Sequence, residues 1–574
     1  MSANAEIAEC FTAVADLLEI RAENPFRVRA YRRAAQTLES LSEDLADLAA
    51  RDALEQIPGI GKDLAGKIQE FVTSGRIAYL EELRREIPAG VVELMAIPGV
   101  GPKTAKLLFD RLGVDGLDRL EALARGGELE GLPGIKAKTV ANILKGIQVV
   151  RSGRERTPLG RALPLAEALV AALRDLPAVD QIEVAGSVRR RRDTVKDLDI
   201  LVTSTDPGAV MARFTSHPEV REVVAKGETK SSVLLRAGIQ ADLRVVEPGA
   251  FGAALQYFTG SKDHNVRTRE LAGRRGLKLS EYGVFREPGG VRVAGATEAD
   301  VYAALGLPWI PPELREDLGE IEAAQASTLP RLVELGDIRG DLHLHTTWSD
   351  GNNSIAEMVE AVRARGYEYM VISDHSKSTG VAGGLSEARL LEQVAEVRAL
   401  GTRLEGFRVF AGCEVDIRAD GSLDYPDAVL ARLDLVIASV HSGFKMTREQ
   451  MTRRIVTALQ NPHVRVLAHP TGRLLGGRTG YEVDLGAVIR AAAERGVVAE
   501  INASPERLDL NDLHARQARE AGVPLVINTD AHAIPQLDQM AYGVAVARRA
   551  WLTTADVLNA RPLRELEAWL RNGR

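Results

Sequence analysis

At 574 residues the chain is too long for one hydrophobic core and implies roughly three to five structural units. With 45% hydrophobic and 27% charged residues it has the balance of a soluble globular protein, and no apolar run is long enough to span a membrane. The net charge of −7 gives no overall attraction to nucleic acid, and the two cysteines, Cys10 and Cys413, exclude a disulfide framework and point to a reducing cytoplasm.

The chain opens on an acidic amphipathic helix through Glu6, Phe11, Val14, Leu17 and Leu18, with no basic leader or cleavage site, so export is not expected. Positive charge is concentrated locally, first at Arg21, Arg27, Arg29, Arg32 and Arg33, then at Arg189 to Arg192, then at Lys262, Arg267, Arg269, Arg274, Arg275 and Lys278. Such patches can hold DNA on an otherwise acidic surface.

Up to about residue 150, short helices alternate with a recurring turn: Ile57-Pro58-Gly59-Ile60-Gly61-Lys62, Ile97-Pro98-Gly99-Val100-Gly101-Pro102-Lys103 and Leu132-Pro133-Gly134-Ile135-Lys136. Glycine amides at a helix N-terminus can approach a phosphate, and the dipole assists. The units resemble the helix-hairpin-helix DNA motif, so Gly59, Gly61, Lys62, Gly99, Gly101 and Lys103 are expected at DNA. Lys136 replaces the second glycine in the third copy. The first copy continues through Lys67 and resembles the small N-terminal domain of polymerase beta, where a lysine at this position forms a Schiff base with an abasic sugar. A further phosphate-facing cation is the simpler reading of Lys67.

Strand-like alternation follows at Glu183 to Gly186, Leu198 to Thr203, Val233 to Arg236 and Gln240 to Val246, the mark of an α+β unit. Asp197 and Asp199 lie two apart on one strand and project to one face; with Asp242 as third carboxylate they can hold two Mg²⁺ ions about 3.5–4 Å apart for in-line phosphoryl transfer. Gly186 and Ser187 form a small-residue turn able to approach a triphosphate, and Arg190 can neutralise it.

The order of the Gly-Ser-x-Arg-Arg turn, the Asp-x-Asp strand, Lys226-Gly227-Glu228-Thr229-Lys230, the Asp-x-Arg strand and Tyr257-Phe258-Thr259-Gly260-Ser261 resembles the family X DNA polymerases. Val188 and Arg191 depart from the wording of the turn in polymerase beta. The resemblance, over residues 1 to about 318, implies that Asp197, Asp199 and Asp242 bind Mg²⁺ or Mn²⁺ and that Ser187 and Arg190 hold a dNTP. It places Tyr257, Phe258 and Gly260 at the sugar, Asn265 at the nascent pair, and Lys230, Arg244 and Arg269 along DNA.

Leu314 to Gly336 reads as a connector. Beyond it, apolar strands ending in polar residues alternate with amphipathic helices. Six of the ten histidines fall in the motifs Asp341-Leu342-His343-Leu344-His345, Ser373-Asp374-His375, Ser439-Val440-His441, Ala468-His469-Pro470 and Asp530-Ala531-His532. Asp350 and Glu414 sit in matching positions. From His345 through His375, Glu414, His441 and His469 to Asp530 the intervals are 30, 39, 27, 28 and 61 residues. Four are single βα units and the last is two, with Val497 to Glu500 as the intervening strand. Seven strands presenting ligands at one rim imply a (β/α)7 barrel. Mixed imidazole and carboxylate ligands suit Zn²⁺, Mn²⁺ or Fe²⁺. His463 and His514 stand outside the set and read as ordinary core residues.

These motifs resemble the polymerase-and-histidinol-phosphatase (PHP) family, which implies three metals. His343, His345, Glu414 and Asp530 would hold the first. Glu414 would bridge to a second on His441 and His469, and Asp350, His375 and His532 would hold the third. The expected organisation is an N-terminal helical DNA-binding domain (1–86), a helix-hairpin-helix fingers domain (87–156), an α+β nucleotidyltransferase palm (157–250), a thumb (251–318), a linker (319–337) and the distorted barrel (338–574). The expected function is a monomeric, cytoplasmic DNA polymerase filling short gaps during base excision repair, with 3′–5′ exonuclease or phosphoesterase activity in the barrel and abasic-site chemistry as an extension. The alternatives are a small-molecule phosphoesterase with a DNA-binding N-terminal region and a non-catalytic scaffold bridging DNA ends.

Overall fold

The computed structural model describes residues 3–572 apart from 40–44, 58, 98–99, 130, 134 and 153–155. Pro58, Pro98, Gly99 and Gly134 of the repeated turns therefore lie outside the described residues. The chain divides into two compact units, the first made of residues 1–157, 162–189 and 195–325 and the second of 158–161, 190–194 and 326–574.

In the first unit the opening apolar pattern forms helix α1 (Ala3–Ile20), paired with α2 (Pro25–Glu39). Phe11 meets Tyr31 edge to face at 5.5 Å, and Val14, Leu18 and Leu38 are buried beside them. Helices α3 (Lys62–Ser74), α4 (Pro102–Leu112) and α5 (Ala137–Ser152) each follow one copy of the repeated turn. The copies close alike: Ile60 N donates to Ile57 O at 3.0 Å, Val100 N to Ile97 O at 2.9 Å and Ile135 N to Leu132 O at 3.1 Å.

The α+β part is a five-stranded sheet of β1 (Val179–Val184), β2 (Asp197–Ser204), β3 (Val220–Lys226), β4 (Lys230–Leu235) and β5 (Gln240–Val245), ordered β1-β2-β5-β4-β3. Only the β2–β5 pair is parallel. Gly186 lies outside the expected strand and starts a short helix, α6 (Gly186–Arg189), because its φ of +63° turns the chain off the sheet. Helices α7 (Phe251–Thr259) and α8 (Lys262–Arg274) then lead to an antiparallel sheet of β6 (Leu277–Ser280), β7 (Gly283–Arg286) and β8 (Val291–Ala294).

The expected connector is partly built into this unit. Residues Glu320–Gln325 form a helix, and Glu320 is fully buried where its carboxylate meets His264 Nδ1 at 2.6 Å. A buried carboxylate requires such a partner, and this one lies 56 residues upstream.

The second unit is a parallel sheet of seven strands in sequence order: β9 (Gly340–Leu344), β10 (Tyr369–Ile372), β11 (Arg408–Asp416), β12 (Leu435–Ser439), β13 (Val464–Leu467), β14 (Val498–Asn502) and β15 (Leu525–Asn528). A parallel bridge from Leu344 to Ala531 brings its ends together. Leu342, Val371, Phe410, Ile437, Val466, Val498 and Val526 form one cluster, with Leu566 and Leu570 of the last helix (Leu563–Asn572) packed into it. The opposite side chains pack with the surrounding helices. Among the described residues, no helix is long and apolar enough to cross a membrane.

Candidate active and metal sites

Parallel pairing sets Asp199 directly opposite Asp242 and Asp197 opposite Gln240, so the alternation of the strand puts the three aspartates on one face. Burial, followed by the charges of Asp197 and Asp242, raises the Asp199 carboxyl to about 7. Burial and Asp242 raise Asp197 as well. Carboxylates crowded in this way fit a divalent cation, whose charge removes their mutual repulsion. Asp242 is engaged by protein cations and amides: Gln240 Nε2 donates to it at 2.7 Å and Lys230 Nζ lies 3.5 Å away. Among the described residues the three do not yet form a set of ligand atoms within 4.8 Å of one another.

Gly186 lies against this site. A Cβ at this position would come 2.5 Å from Asp199 Oδ2. Ser187 follows, half-buried on α6, and Arg190 belongs to the second unit. Tyr257 and Phe258 are half-buried with ring centroids 5.1 Å apart, and the Arg244 guanidinium sits 4.5 Å from the Phe258 ring. Gly260 has φ +32° and no room for a Cβ beside Asn265. The Asn265 amide is occupied, donating to Tyr257 O at 2.6 Å and accepting from Gln256 Nε2 at 2.9 Å, so it braces this turn. Arg269 is exposed, with Nε on Asn265 O at 3.2 Å.

In the repeated turns Gly59 has φ +81°, whereas Gly61 and Gly101 are extended N-caps with open space where a Cβ would stand. In the third copy Lys136 stands at that position, its carbonyl accepting from Val140 N at 3.0 Å as Gly61 and Gly101 accept from Ala65 N and Ala105 N at 2.9 Å. Lys62 and Lys103 are exposed. Lys67 pairs with Asp63 at 2.5 Å and faces the rings of Tyr79 and Tyr31 at 5.4 and 6.0 Å. Burial draws its pKa down, but Asp63 and Tyr31 outweigh this and hold it above the usual lysine value, the wrong direction for an amine nucleophile. Arg21 and Arg32 of the early basic cluster are taken up by Glu86 at 3.0 Å and by Asp16 and Glu19 at 2.7 and 2.6 Å.

In the barrel all nine sequence-selected side chains converge at the C-terminal rim. Strand alternation carries Phe410 and Gly412 on to Glu414, and Leu435, Ile437 and Ser439 on to His441. Left-handed backbone at His469, φ +28°, and Asp530, φ +55°, turns these two inward. Glu414 is the hub: His375 Nδ1 lies 2.8 Å from Oε2, while His469 Nε2 and His441 Nε2 lie 2.8 and 3.1 Å from Oε1. His345 Nε2 is 3.1 Å from Asp530 Oδ1, and Asp350 lies 3.4 Å from His532 Nε2 and 3.6 Å from His375 Nε2.

Three groups could hold ions: His345, Asp350, His375 and His532; His343, His345 and Asp530; and His375, Glu414 and His441. They share residues differently from the sequence-based partition, which paired His469 rather than His375 with Glu414 and His441. His343 Nε2, both ring nitrogens of His345, His375 Nδ1, His469 Nδ1 and Glu414 Oε2 are buried and, despite the short His375–Glu414 and His345–Asp530 separations, make no aligned hydrogen bond among the described residues. Buried polar atoms normally have partners, so this cluster fits divalent cations.

Although burial opposes it, His441, His375 and His343 hold the Glu414 carboxyl well below its usual range, and Glu414 and Asp416 push His441 up to about 10. Asp350, again against burial, pushes His532 up to about 9. Burial, then His375 and His532, pull His345 down to about 3. Protons and cations therefore compete for one negatively charged pocket.

Orienting residues not selected from the sequence complete the centre. Glu500 accepts from His343 Nδ1 at 2.8 Å, from Asn528 Nδ2 at 2.9 Å and from His469 N at 2.9 Å. Asp416 holds His441 Nδ1 at 3.0 Å, and Asn502 donates to Asp530 at 3.0 Å. His514, outside the nine, is lowered to about 4 by burial and Arg473.

A sheet carrying three aligned aspartates and a seven-stranded barrel with a metal-binding rim together define a polymerase-beta-like chain with a PHP barrel. Family profiles agree: the helix-hairpin-helix domain matches residues 2–77, the SAM-like helix-hairpin-helix tandem 91–148, the DNA polymerase beta thumb 254–316 and the PHP domain 341–502. The chain is 42% identical over 568 residues, 99% of both chains, to the DNA polymerase/3′-5′ exonuclease PolX of Bacillus subtilis (strain 168). The chain belongs to this PolX family. The chain is also 31% identical over 232 residues, 38% of this chain and 89% of the other, to a probable phosphatase of Thermoanaerobacter sp. (strain X514). Similarity to DNA polymerase lambda of Rattus norvegicus is 25% over 342 residues, 54% of this chain and 56% of that one.

Proposed function

We propose that the protein is a gap-filling DNA polymerase of DNA base excision repair whose barrel removes nucleotides from 3′ ends as a metal-dependent exonuclease or phosphoesterase. The observation that carries this reading is the presence of two acidic clusters in one chain, the three aspartates on one face of β2 and β5 and the histidine-rich groups of the barrel rim. Divalent cations, when bound, would neutralise phosphate oxygens and acidify the attacking hydroxyl or water. Mg²⁺ suits Asp197, Asp199 and Asp242, and Zn²⁺ or Mn²⁺, with Fe²⁺ as a further fit, suits the histidine-rich rim.

Around the polymerase centre, Ser187 and Arg190 are assigned to the triphosphate of a dNTP, Tyr257, Phe258 and Gly260 to its sugar, and Asn265 to bracing that wall. Lys62, Lys103, Lys230, Arg244 and Arg269 follow the DNA backbone, with Gly59, Gly61 and Gly101 allowing its close approach. Lys67 is assigned to DNA phosphate rather than to a Schiff base. In the barrel, Glu500 and Asp416 fix the tautomers of His343 and His441, leaving their Nε2 atoms for cations. The protein is read as a cytoplasmic monomer.

The test separates the two centres. Asp199→Ala is expected to reduce templated incorporation by at least about a thousandfold while nucleotide removal and gapped-DNA binding stay within about twofold. His343→Ala is expected to do the reverse. Incorporation by Asp199→Ala at the wild-type rate would overturn the polymerase assignment.

A further inference from the structure

Two arginines stand at the rim of the barrel: among the described residues Arg478 has no carboxylate partner, and Arg507 has a long contact to Asp530. Arg507 lies with Nε 3.7 Å from Asp530 Oδ2, and Leu508 beside it has φ +47°, so the loop is fixed by its surroundings. Arg478 donates Nε to Gly472 O at 2.8 Å, three residues beyond His469. Its guanidinium lies 4.0 Å from the Phe444 ring centroid. Phe444 stacks on Tyr481 with centroids 6.0 Å apart, and the Tyr481 hydroxyl donates to Pro470 O at 2.7 Å. The plane of Arg478 is thereby tied to the loop that carries His469.

Neighbouring arginines are already committed. Arg473 gives Nε to Arg507 O at 2.8 Å, Nη1 to Asp193 at 3.0 Å and Nη2 to Leu508 O. Arg418 is paired with Asp424 at 3.2 Å, and the buried Arg454 donates to Ile417 O and Ser442 O. Among the described residues, by contrast, no carboxylate pairs with Arg478 and neither of its Nη atoms has a hydrogen-bond partner. Burial, followed by the charge of Arg507, draws the Arg478 pKa below the usual guanidinium value. Arg507 borders the rim through Asp530 and Arg478 through the loop that carries His469, and a planar guanidinium matches phosphate oxygens in pairs.

We propose that Arg478 and Arg507 form the phosphate clamp of the barrel, binding non-bridging oxygens of the phosphoester whose phosphorus faces the rim. The clamp rests on the phosphoesterase reading of this centre and adds its substrate-binding residues. Phe444 and Tyr481 act as positioning residues, keeping the Arg478 plane in place.

Full-length Arg478→Ala, Arg507→Ala and Arg478→Lys proteins with Mn²⁺ provide the test, using a 3′-labelled primer-template as substrate and inorganic phosphate as competing probe. Each alanine variant is expected to lower kcat/KM for nucleotide removal by about 10–100-fold and to raise the phosphate inhibition constant by about tenfold or more. Bound metal, counted by mass spectrometry, and templated incorporation should remain at wild-type levels, and Arg478→Lys should recover part of the loss. Alanine variants with wild-type kcat/KM and phosphate inhibition would overturn the clamp alone, as would a loss of activity that follows a loss of metal. A wild-type chain that removes no nucleotide would overturn the phosphoesterase reading and the clamp with it.

Discussion

Gly186 shows how much one missing side chain can decide. Its φ of +63° is strained for any L residue, and a Cβ would press to 2.5 Å against the Asp199 carboxylate. Gly186→Ala is therefore expected to lower kcat for templated incorporation by about tenfold or more while nucleotide removal in the barrel is unchanged, as a primer-extension and exonuclease comparison would read. Glu500 makes the complementary point. It contacts His343, His469 and Asn528 at once, yet these partners lie 157, 31 and 28 residues away. The rim side chains stand out in the sequence because each follows an apolar strand, but the residue that orients two of them becomes visible only when strands are side by side. Arg473, four residues after His469, shows the same dependence on tertiary contacts, because the folded loop engages it with Asp193 and two backbone carbonyls.

Among elements, α6 and α7 are joined by a buried ion network. Arg189 donates through Nη1 to Thr259 at 2.7 Å and reaches both Glu298 oxygens at 2.8 Å. Arg315 Nη1 donates to the same carboxylate at 2.6 Å, and Trp309 Nε1 donates to it at 3.0 Å. Burial would raise the Glu298 carboxyl, but Arg189 and Arg315 outweigh it and hold it at about 2. A depressed carboxyl contributes stability that is present above its unfolded pKa of 4.5 and lost as pH falls toward about 2. That contribution is on the order of 3 kcal/mol at neutral pH. Glu298→Gln should destabilise the first unit by about this amount at pH 7, and urea denaturation should find the difference narrowing as pH falls from about 5 to about 3.5. Element types were largely legible from alternation and turn residues. The helix Glu320–Gln325 was not, because what orders it is the buried pairing of Glu320 with a distant histidine.

At the scale of the molecule, the barrel collects nine imidazole and carboxylate side chains, several with buried atoms that make no aligned hydrogen bond among the described residues. A folded state that binds cations more tightly than the unfolded chain gains about 2.7 kcal/mol at a hundredfold excess over Kd. Scanning calorimetry of the full chain is expected to show a barrel transition that moves up by several degrees with Mn²⁺ and down with EDTA. An unmoved transition would argue against a metal-loaded rim. The sequence by itself determined the fold class, with its helical turns, α+β sheet and seven-stranded barrel, and singled out acidic and imidazole residues at strand ends, because strand periodicity and βα spacing are local properties of the chain. Tertiary structure alone decided which carboxylate orients which imidazole, why position 186 must be glycine and which arginines at the rim are left for an anion. Those outcomes depend on contacts between strands and loops far apart in sequence, where packing and buried electrostatics, rather than local spacing, select the partner.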